Sequence, residues 1–539
     1  MSSVDCSEEM AQLFNEYDRL RGRSAVECSG LFWDAVVFSV CDEAQRAAFE
    51  AQIARLQHDK AIPLVDYLTI ADLPQYKMGS GGATMHILST LSALWGQDVL
   101  LHRKILLVHT GGQSRRLPQH SAMGKLFARL PLPLNSQDGI NAPSCNSDAS
   151  LPIHTKSRPA GTMLDLKLAM YLPFCRKMSS GVFLTASDDI EIYAVDGDFE
   201  MDISGFTALA HPSSLEISRG HGVYVLPEQF YSHCTNTSCR RVLQKPSLEE
   251  MRRHGAIINN TFAYTDSAYA FGPDVVCTLI SYYEANQPLN EELCAYGDFL
   301  TCLGTEAPRA VRTLQSLLQQ FELSIIVLPK SKFYHIGTLT EYLDHFCSDA
   351  LFKKQLGLRA GSSMNICSIL PTAGLQSTGR HVIECCDFGN ARRLVLGADC
   401  VLYGCQLEGA IALTAAAAGD DDGEVCVPNG VVIFTVAIAC SDKPSVVAGY
   451  VTLCFGINDD LKTGTELLGR TKFDTCLWDA KLFRMAATRS ESLIATLQDL
   501  QQPLVEACRY SMRDVLEQKC IHEMLDFQAA MSHRCSHRW

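Results

Sequence analysis

The amino-acid sequence predicts an α/β domain, then a β-rich region, then a helical C-terminal segment. Apolar strands alternate with helices up to about residue 358, short β-rich stretches follow, and helical periodicity returns from Trp478 onward. A chain of 539 residues is also longer than one hydrophobic core, which rarely exceeds ~250–300 residues. We therefore predict three domains, at residues 1–358, 359–465 and 466–539.

Composition and charge limit the classes of protein to consider. A hydrophobic content of 47% and a charged content of 20% are typical of a soluble globular protein. No apolar run reaches the roughly 18 residues of a membrane span, and the acidic N-terminus does not resemble a secretory signal. The net charge of −14 argues against a nucleic-acid partner, and 23 cysteines without a C-x-x-C pair are typical of reduced thiols. We therefore expect a cytoplasmic protein with neither a membrane nor a nucleic-acid partner.

Strands and helices alternate from the start of the α/β region. Residues 32–40 form an apolar strand, and Asp42 is a good N-cap for the helix that follows. A glycine-rich turn at residues 79–84 then opens a second helix, which Gly96 should end. Backbone amides at such a turn can hold a phosphate, although the same glycines also suit a plain tight turn.

The stretch from Ile105 to Phe127 carries the strongest phosphate-binding pattern. An apolar strand ends at a pair of glycines, and Arg115, Arg116 and Lys125 follow. Glycines let backbone amides approach a phosphate closely, and the cations neutralise its charge. The alternative is a strand and loop with ordinary surface cations.

A further apolar strand, Gly181 to Ala186, is followed by Asp188 and Asp189. Carboxylates at the carboxyl end of a parallel strand lie where open α/β sheets bind ligands, and they suit Mg²⁺ together with substrate phosphates. Because side chains alternate along an extended chain, only one of the two should face a ligand, and we favour Asp189. The alternative is a solvated strand end in which an aspartate caps a helix.

Three segments fall outside the strand–helix alternation. Residues 396–401 fit one hexapeptide of a left-handed β-helix, and residues 427–432 match more loosely. The residues of this region are mainly apolar and small, which predicts a structural role. The polar segment Ser136–Pro159 is predicted to be a loop, and Met512–Met531 a helix.

A series of motifs occurs in order between residues 32 and 346. They are FWDAVVFSVCDEAQ, GSGGAT, HTGGQSRRLP with GKLF, LDLKLAMY, TASDDIEIY, GFTALAHPSSL, HGVYVL, KPSLEEM, YTDSAYAF, AYGDFL and KFYHIGTLTEYL. This series resembles the animal fucose-1-phosphate guanylyltransferases, also called GDP-L-fucose pyrophosphorylases. The resemblance implies a nucleotidyltransferase domain with a Rossmann-like mixed sheet, followed by a degenerate left-handed β-helix and a helical tail. The implied reaction converts GTP and β-L-fucose 1-phosphate to GDP-L-fucose and pyrophosphate in fucose salvage, with Mg²⁺ as cofactor and no protein partner.

The resemblance also implies roles for individual residues. Arg116 and Lys125 would be catalytic, and Asp188 and Asp189 would be the metal ligands. The sugar phosphate would be bound by Lys245, His221 and Gly222. The nucleotide would be bound by Gly79, Ser80, Gly81, Gly82, Thr84, Gly111, Gly112 and Ser114.

The sequence departs from the family pattern at three points. The Ser136–Pro159 loop is longer than expected, and Gln244 replaces a glutamate before Lys245. His335 stands where the wider superfamily often has a metal-binding aspartate, and a neutral imidazole is a poor Mg²⁺ ligand. A second protein ligand would then come from elsewhere, with Asp298 the next candidate.

Three alternative functions remain open from the sequence. The chain could be a pyrophosphorylase that uses UTP or another hexose 1-phosphate. It could be a catalytically silent scaffolding homologue, although the expected cations and aspartates are present. It could be a β-helix acyltransferase, although few hexapeptide turns are legible.

Overall fold

The computed structural model describes residues 4–74, 77–134, 161–371, 375–391, 393–408, 424–500 and 509–536. Contacts divide the chain into two compact units, Met1–Gly112 with Asp165–His335, and Gln113–Leu164 with Ile336–Trp539. The predicted Ser136–Pro159 loop lies outside the described residues. The domain boundaries predicted at residues 358 and 465 stay predictions.

The first unit is built from a large sheet and the helices around it. Its strands are β1 (Ala35–Val40), β2 (Asp66–Ala71), β3 (Lys104–His109), β4 (Gly181–Ala186), β5 (Asp189–Tyr193), β6 (Phe206–Ser214), β7 (Gly222–Val225), β8 (Thr235–Ser238), β9 (Arg241–Gln244), β10 (Phe262–Thr265), β11 (Tyr269–Phe271), β12 (Leu323–Val327) and β13 (Ser331–His335). Its helices are α1 (Ser7–Leu20), α2 (Ala25–Cys28), α3 (Glu43–His58), α4 (Gly79–Trp95), α5 (Gln97–His102), α6 (Met163–Met170), α7 (Leu172–Lys177), α8 (Leu215–Ser218), α9 (Leu248–Arg253), α10 (Pro273–Ala285), α11 (Gly297–Leu300) and α12 (Thr313–Leu318).

The main sheet of this unit contains 11 strands within the described residues, in the order β2-β1-β3-β4-β11-β6-β10-β7-β9, with β12 and β8 branching from β6. Strands β2, β1, β3 and β4 run parallel, whereas β11 is antiparallel to both β4 and β6. A separate antiparallel pair joins β5 and β13. The mixed α/β sheet predicted from the sequence is therefore confirmed.

Single residues explain where some of these helices begin and end. The Asp42 side chain accepts a hydrogen bond from the Gln45 backbone N–H at 2.7 Å and caps α3 as predicted. Gly96 ends α4 with a φ of +82°. The apolar face of α4 then packs with the buried side chains of β1, β3 and β4 in one core. Burial of this face stabilises both the helix and the sheet.

The second unit contains parallel β-strand ladders and several helices. Its strands are β14 (Ser363–Ile366), β15 (Leu375–Ser377), β16 (His381–Glu384), β17 (Arg393–Leu396), β18 (Cys400–Tyr403), β19 (Glu424–Val427), β20 (Val431–Cys440), β21 (Lys443–Gly456), β22 (Glu466–Leu467), β23 (Thr471–Lys472) and β24 (Met485–Ala486). Its helices are α13 (Leu339–Leu343), α14 (Ala350–Gln355), α15 (Arg489–Asp499), α16 (Met512–Glu517) and α17 (Ile521–Ser536), with 3₁₀ turns at Pro118–His120 and Lys125–Phe127 and a π-helical turn at Asp344–Ser348. None of the helices in the described part of either unit has the length and apolar content needed to cross a lipid bilayer.

The helical segment predicted over Met512–Met531 is helical, but the chain forms two helices there, α16 and α17, with a break between them. At the break, the Ala439 N–H donates to the Gln518 carbonyl at 2.7 Å, and the Cys520 N–H donates to the Ala437 carbonyl at 2.8 Å. Pairing with the end of β20 replaces helical hydrogen bonds there. The sequence periodicity could not reveal this competing tertiary partner.

The first turn of α4 packs closely against a neighbouring backbone segment. The Gly81 N–H donates to the Leu293 carbonyl at 2.7 Å, and Ser80 Oγ accepts from the Ala295 N–H at 2.9 Å. Gly79 has a φ of +68°, and a Cβ atom there would lie 2.3 Å from the Leu293 carbonyl oxygen. Close packing therefore requires glycine at residue 79, and the predicted nucleotide contacts of this turn stay a prediction.

We expect Gly79→Ala to lower the midpoint of urea unfolding more than Gly96→Ala does. Both glycines have positive φ, so each alanine carries backbone strain of ~1–2 kcal/mol. Only at Gly79 does the new methyl group also meet a backbone carbonyl, since no described atom lies within 4 Å of the corresponding position at Gly96. An equal decrease in the urea midpoint of the two variants would contradict the packing of α4 described above.

Candidate active site

The parallel strands β2, β1, β3 and β4 place their carboxyl ends at one edge of the main sheet. Strand β1 has β2 on one side and β3 on the other, so the strand order reverses at β1. Open α/β sheets bind ligands at such a reversal, outside the carboxyl ends of the strands. The segments that follow β3 and β4 are therefore expected to form the walls of a ligand site.

The loop after β3 leaves its backbone accessible. Gly112 is exposed, has a φ of +100°, and has no described atom within 4 Å of the position that a Cβ would take. Thr110 Oγ1 donates to the Ser39 carbonyl at 2.5 Å and ties the loop to β1. Thr84 Oγ1 lies 3.0 Å from His109 Nε2, so the first turn of α4 is joined to the end of β3. The structure thus brings the two predicted nucleotide-binding segments together.

Two aspartates and a histidine meet between β4 and β5. Asp188 precedes β5, Asp189 begins it, and His335 at the end of β13 pairs with Asp189 in the β5–β13 ladder. One ligand atom from each of the three side chains lies within 4.8 Å of the others. Asp188 Oδ2 lies 3.6 Å from His335 Nε2.

The expectation that only one aspartate, Asp189, faces a ligand stays a prediction, although both carboxylates lie near His335. Strict alternation holds along an extended strand, but the chain bends at Ser187 and Asp188 before β5 begins. The bend turns both carboxylates toward the same region as His335. Two carboxylates with an imidazole form a donor set that fits a divalent cation, and the carboxylate oxygens are the better donors for Mg²⁺.

A fully buried lysine lies behind this acidic cluster. Lys167 Nζ donates to Thr185 Oγ1 at 3.2 Å and to the Tyr171 hydroxyl at 3.3 Å, and the same hydroxyl donates to Glu191 Oε1 at 2.9 Å. Burial lowers the pKa of Lys167, opposed by the nearby carboxylates. Burial raises the pKa of Asp189 to about 7, opposed mainly by the positive charge of Lys167. The lysine therefore offsets part of the cost of burying negative charge here.

The residues predicted to bind a sugar phosphate lie beside the acidic cluster. The ring centres of His221 and His335 are 5.9 Å apart. The Lys245 N–H donates to the His221 carbonyl at 3.0 Å, and the Gly222 N–H donates to Asp266 Oδ1 at 2.9 Å. Lys245 is exposed and has a φ of +47°. His221, Gly222 and Lys245 therefore lie together, and their binding of a sugar phosphate stays a prediction.

Asp266 is the buried centre of this group. Burial raises the pKa of Asp266 to about 7, while the hydrogen bond from Gly222 and the charge of Lys245 oppose the rise. A Cβ at residue 222 would lie 2.2 Å from Asp266 Oδ2, so this position requires glycine. The Tyr296 hydroxyl and Gln244 Oε1 are buried without a hydrogen-bond partner among the described residues. Such atoms are where a native protein binds water or a polar ligand.

Arg116 and Lys125, the predicted catalytic cations, belong to the second unit. Arg116 is exposed and makes no hydrogen bond or ion pair with any residue that the structure describes. Arg115 instead lies over the Trp478 ring at 4.9 Å and donates to Gln113 Oε1 at 2.8 Å. Ser114, predicted to bind nucleotide, has a φ of +50°. Arg115 is therefore engaged in packing, whereas Arg116 is available to a ligand.

Sequence reasoning missed Lys167 and Glu191 as parts of the site. Lys167 lies in LDLKLAMY between two leucines, and in the structure its side chain is fully buried. A buried lysine requires nearby acceptors, and this was the available signal. Glu191 carried a similar signal as a charged residue between two isoleucines in β5. Their partners are distant in sequence and could not be identified without the fold.

Comparisons with known proteins show which family the chain belongs to. A family model described as the fucose pyrophosphorylase domain matches residues 97–508. The chain is 30% identical to fucose-1-phosphate guanylyltransferase of Mus musculus over 97% of this chain and 96% of the relative. It is 31% identical to the protein of the same name from Homo sapiens, over 92% of this chain and 88% of the relative. A bifunctional fucokinase/GDP-fucose pyrophosphorylase of Arabidopsis thaliana is 23% identical over 69% of this chain and 36% of the relative.

We expect Asp266→Asn to gain stability relative to the wild type as the pH rises from 4 to 7. The pKa of Asp266 is raised from 3.8 to about 7 in the folded protein, so the folded state binds more protons than the unfolded state in this range. The contribution of the Asp266 carboxyl group to the free energy of unfolding is complete below a pH of 3.8, the unfolded-state pKa. It is lost as the pH rises through about 7, the folded-state pKa. The amide keeps an acceptor for Gly222 and cannot ionise.

The gain should be on the order of 1–3 kcal/mol at pH 7, measured from urea unfolding at several pH values. Asp202→Asn, at an exposed carboxyl of the same unit, is the matched control. A stability difference that does not vary with pH would show that Asp266 is ionised in the folded protein.

Proposed function

Because the chain belongs to the fucose pyrophosphorylase family, we propose that it transfers a guanylyl group from GTP to β-L-fucose 1-phosphate. The products would be GDP-L-fucose and pyrophosphate, as in fucose salvage. The observation that carries the proposal is the nearly full-length similarity to two mammalian relatives named for this activity. The grouping of Asp188, Asp189, His335 and His221 at the carboxyl edge of the sheet supports it.

The proposed reaction is a displacement at the α-phosphorus of GTP. An oxygen of the sugar phosphate forms the new P–O bond while the bond to the leaving pyrophosphate breaks. An ionised phosphate is already a nucleophile, so the protein needs no general base. The main barrier is repulsion between anions, which positioned cations and backbone amides reduce.

We assign the two predicted cations different tasks in this reaction. Arg116 would bind the β- and γ-phosphates, and its exposure and lack of a partner among the described residues support this role. Lys125 would stabilise the α-phosphate as negative charge develops during transfer. Backbone amides of Gly111, Gly112 and Ser114 would orient the nucleotide, together with amides of the Gly79–Thr84 turn other than that of Gly81, which donates to Leu293.

The acidic cluster is the proposed site for Mg²⁺. Asp188 and Asp189 would hold the ion, and when bound it would neutralise phosphate charge. His335 lies close enough to stabilise the two carboxylates by its own charge when it is protonated. Lys245, His221 and Gly222 would bind and orient the sugar phosphate beside this cluster.

We propose that the ladders of the second unit are coils of a degenerate left-handed β-helix. Ser363 pairs in parallel with His381, His381 with Cys400, and Val401 with Val432, at spacings of 18, 19 and 31 residues. The first two spacings are close to three hexapeptides. Cys367, Cys385 and Gly404 follow three successive strands and all have positive φ, which supports a repeated corner. The helices α15, α16 and α17 would be the proposed helical tail.

A cytoplasmic location remains a proposal based on the thiols. The cysteines in the described residues are free, and many are buried. Free buried thiols are typical of proteins in a reducing compartment.

The activity is tested by pyrophosphate release with GTP, UTP and ATP, each against β-L-fucose 1-phosphate and other hexose 1-phosphates. We expect turnover to be fastest with GTP and β-L-fucose 1-phosphate. Faster turnover with UTP or with another sugar would replace this proposal by the related pyrophosphorylase. No turnover of any pair would favour a scaffolding homologue.

We expect Lys125→Ala and Arg116→Ala to differ in their kinetic effects. Removing a charge that acts mainly in the transition state should lower kcat by ~10²–10³ in Lys125→Ala and leave GTP affinity nearly unchanged. Arg116→Ala should instead weaken GTP binding, because the triphosphate is already present in the ground state. Steady-state kinetics and GTP titration by calorimetry distinguish these outcomes. Unchanged GTP affinity in Arg116→Ala would remove Arg116 from the site.

We expect Asp188→Asn and Asp189→Asn each to weaken Mg²⁺ binding to the GTP-loaded protein, measured by calorimetry, because each change removes one charged oxygen donor. In the absence of GTP, binding should be weak in the wild type too, since the nucleotide supplies further ligands. Asp202→Asn, at an exposed carboxyl of the same unit, is the control, and Asp298→Asn tests the alternative ligand named from the sequence. Unaltered Mg²⁺ binding in both cluster variants would place the metal elsewhere.

A further inference from the structure

We propose that Glu384 of β16 and His120 are positioning residues for Lys125. They hold the two ends of the short loop that presents this lysine, and all the contacts involved lie within the second unit. The inference rests on the proposed function only for the role of Lys125 in catalysis. The fixing of the loop itself is independent of the substrate.

Glu384 holds the end of the loop that follows Lys125. Its Oε1 accepts the Arg129 backbone N–H at 3.1 Å, and its Oε2 accepts the Tyr342 hydroxyl at 3.4 Å. The side chain is only 2% exposed. The charge of Arg129 lies close enough to lower the pKa of Glu384, although burial dominates and raises it to about 7. These hydrogen bonds hold the buried Glu384 side chain in one position.

His120 holds the end of the loop that precedes Lys125. Its ring lies between the edges of two tyrosines, with ring centres 5.7 Å from Tyr342 and 5.6 Å from Tyr403. Its Nε2 lies 3.8 Å from Glu384 Oε2 and makes no hydrogen bond within the described residues, so ring packing beside Glu384 holds this end of the loop. The Pro118–His120 turn also packs against β20. The histidine is therefore locked in place by side chains from the parallel ladders and from α13.

The backbone transmits this fixation to Lys125. The His120 carbonyl accepts the Gly124 N–H at 2.8 Å, and Gly124 has a φ of +89°. Lys125 follows directly and begins a 3₁₀ turn, in which the Phe127 N–H donates to the Gly124 carbonyl at 3.1 Å. The direction in which Lys125 leaves the backbone is thus set by His120 on one side and by Arg129 on the other.

Side chains from α13, β18 and α17 hold the two positioning residues in turn. Gln528 Nε2 of α17 donates to the Tyr403 hydroxyl at 2.5 Å, and Tyr342 in α13 bonds Glu384 directly. The side chains that fix the loop therefore come from widely separated parts of the second unit. A displacement of about 1 Å in a transition-state contact can cost ~10²-fold in rate, so this layer should matter for catalysis although it touches no substrate.

The first measurement is amide hydrogen exchange over residues 117–130, followed by mass spectrometry, which needs no substrate. We expect Glu384→Ala to speed exchange in these peptides by at least ~10-fold while peptides of β1 and β3 remain unchanged. Tyr342→Phe, which removes only the hydroxyl that bonds Glu384, should give a smaller change of the same kind. Ile383→Val is the matched control, because it trims a fully buried side chain next to Glu384 that the strand's alternation directs to the opposite face.

The second measurement is a double-mutant cycle on kcat. Glu384→Ala should lower kcat by roughly 10–100-fold with little change in GTP affinity, and this loss should shrink to less than ~3-fold in a Lys125→Ala background. If the losses in kcat from the two substitutions multiply, Glu384 does not act through Lys125. If amide hydrogen exchange over residues 117–130 is unchanged in Glu384→Ala, Glu384 does not fix the loop. Either result overturns the proposal. If the wild type transfers no guanylyl group, the proposed function fails, and the exchange measurement alone decides whether Glu384 and Tyr342 fix the loop.

Discussion

The parallel pairing of β3 with β1 on one side and β4 on the other is the constraint on which the first unit depends. Parallel register brings three strand ends to one edge, and the loops that leave these ends must share the space beyond it. The open backbone at Gly112 and the acids after β4 are both products of that edge. The antiparallel β5–β13 ladder then adds His335 from a distant part of the chain. The direction of the strands therefore determines where the site lies, and the side chains determine its chemistry.

Each unit buries charge close to residues that carry function. Lys167 lies behind Asp189 in the first unit, and Arg129 lies beside Glu384 in the second. Removal of one partner from a buried pair typically costs ~3–5 kcal/mol, because the other charge is left without compensation. A hydrophobic pair of similar volume would be at least as stable in many proteins.

Local chemistry made much of the fold predictable. The strand at β4 matches its predicted bounds, and the Asp42 cap and the Gly96 end of α4 follow from side-chain and φ preferences of single residues. The sequence motifs identified candidate site residues, and His221, Gly222 and Lys245 among them lie together in the fold. What the sequence could not supply were distances between remote residues. The approach of His335 to Asp188, the partners of Lys167 and the break before α17 all depend on tertiary pairing.

The unequal spacing between paired strands of the parallel ladder has a consequence for engineering. The spacing between register partners grows from 19 to 31 residues at the third step, yet Val401 and Val432 remain paired. The ladder therefore tolerates added chain between coils, since loop-closure entropy increases only slowly with length. A peptide tag or a fluorescent reporter could be grafted into this connection with the neighbouring rungs kept in register. The same protein would then carry a label remote in sequence from every residue assigned to the chemistry.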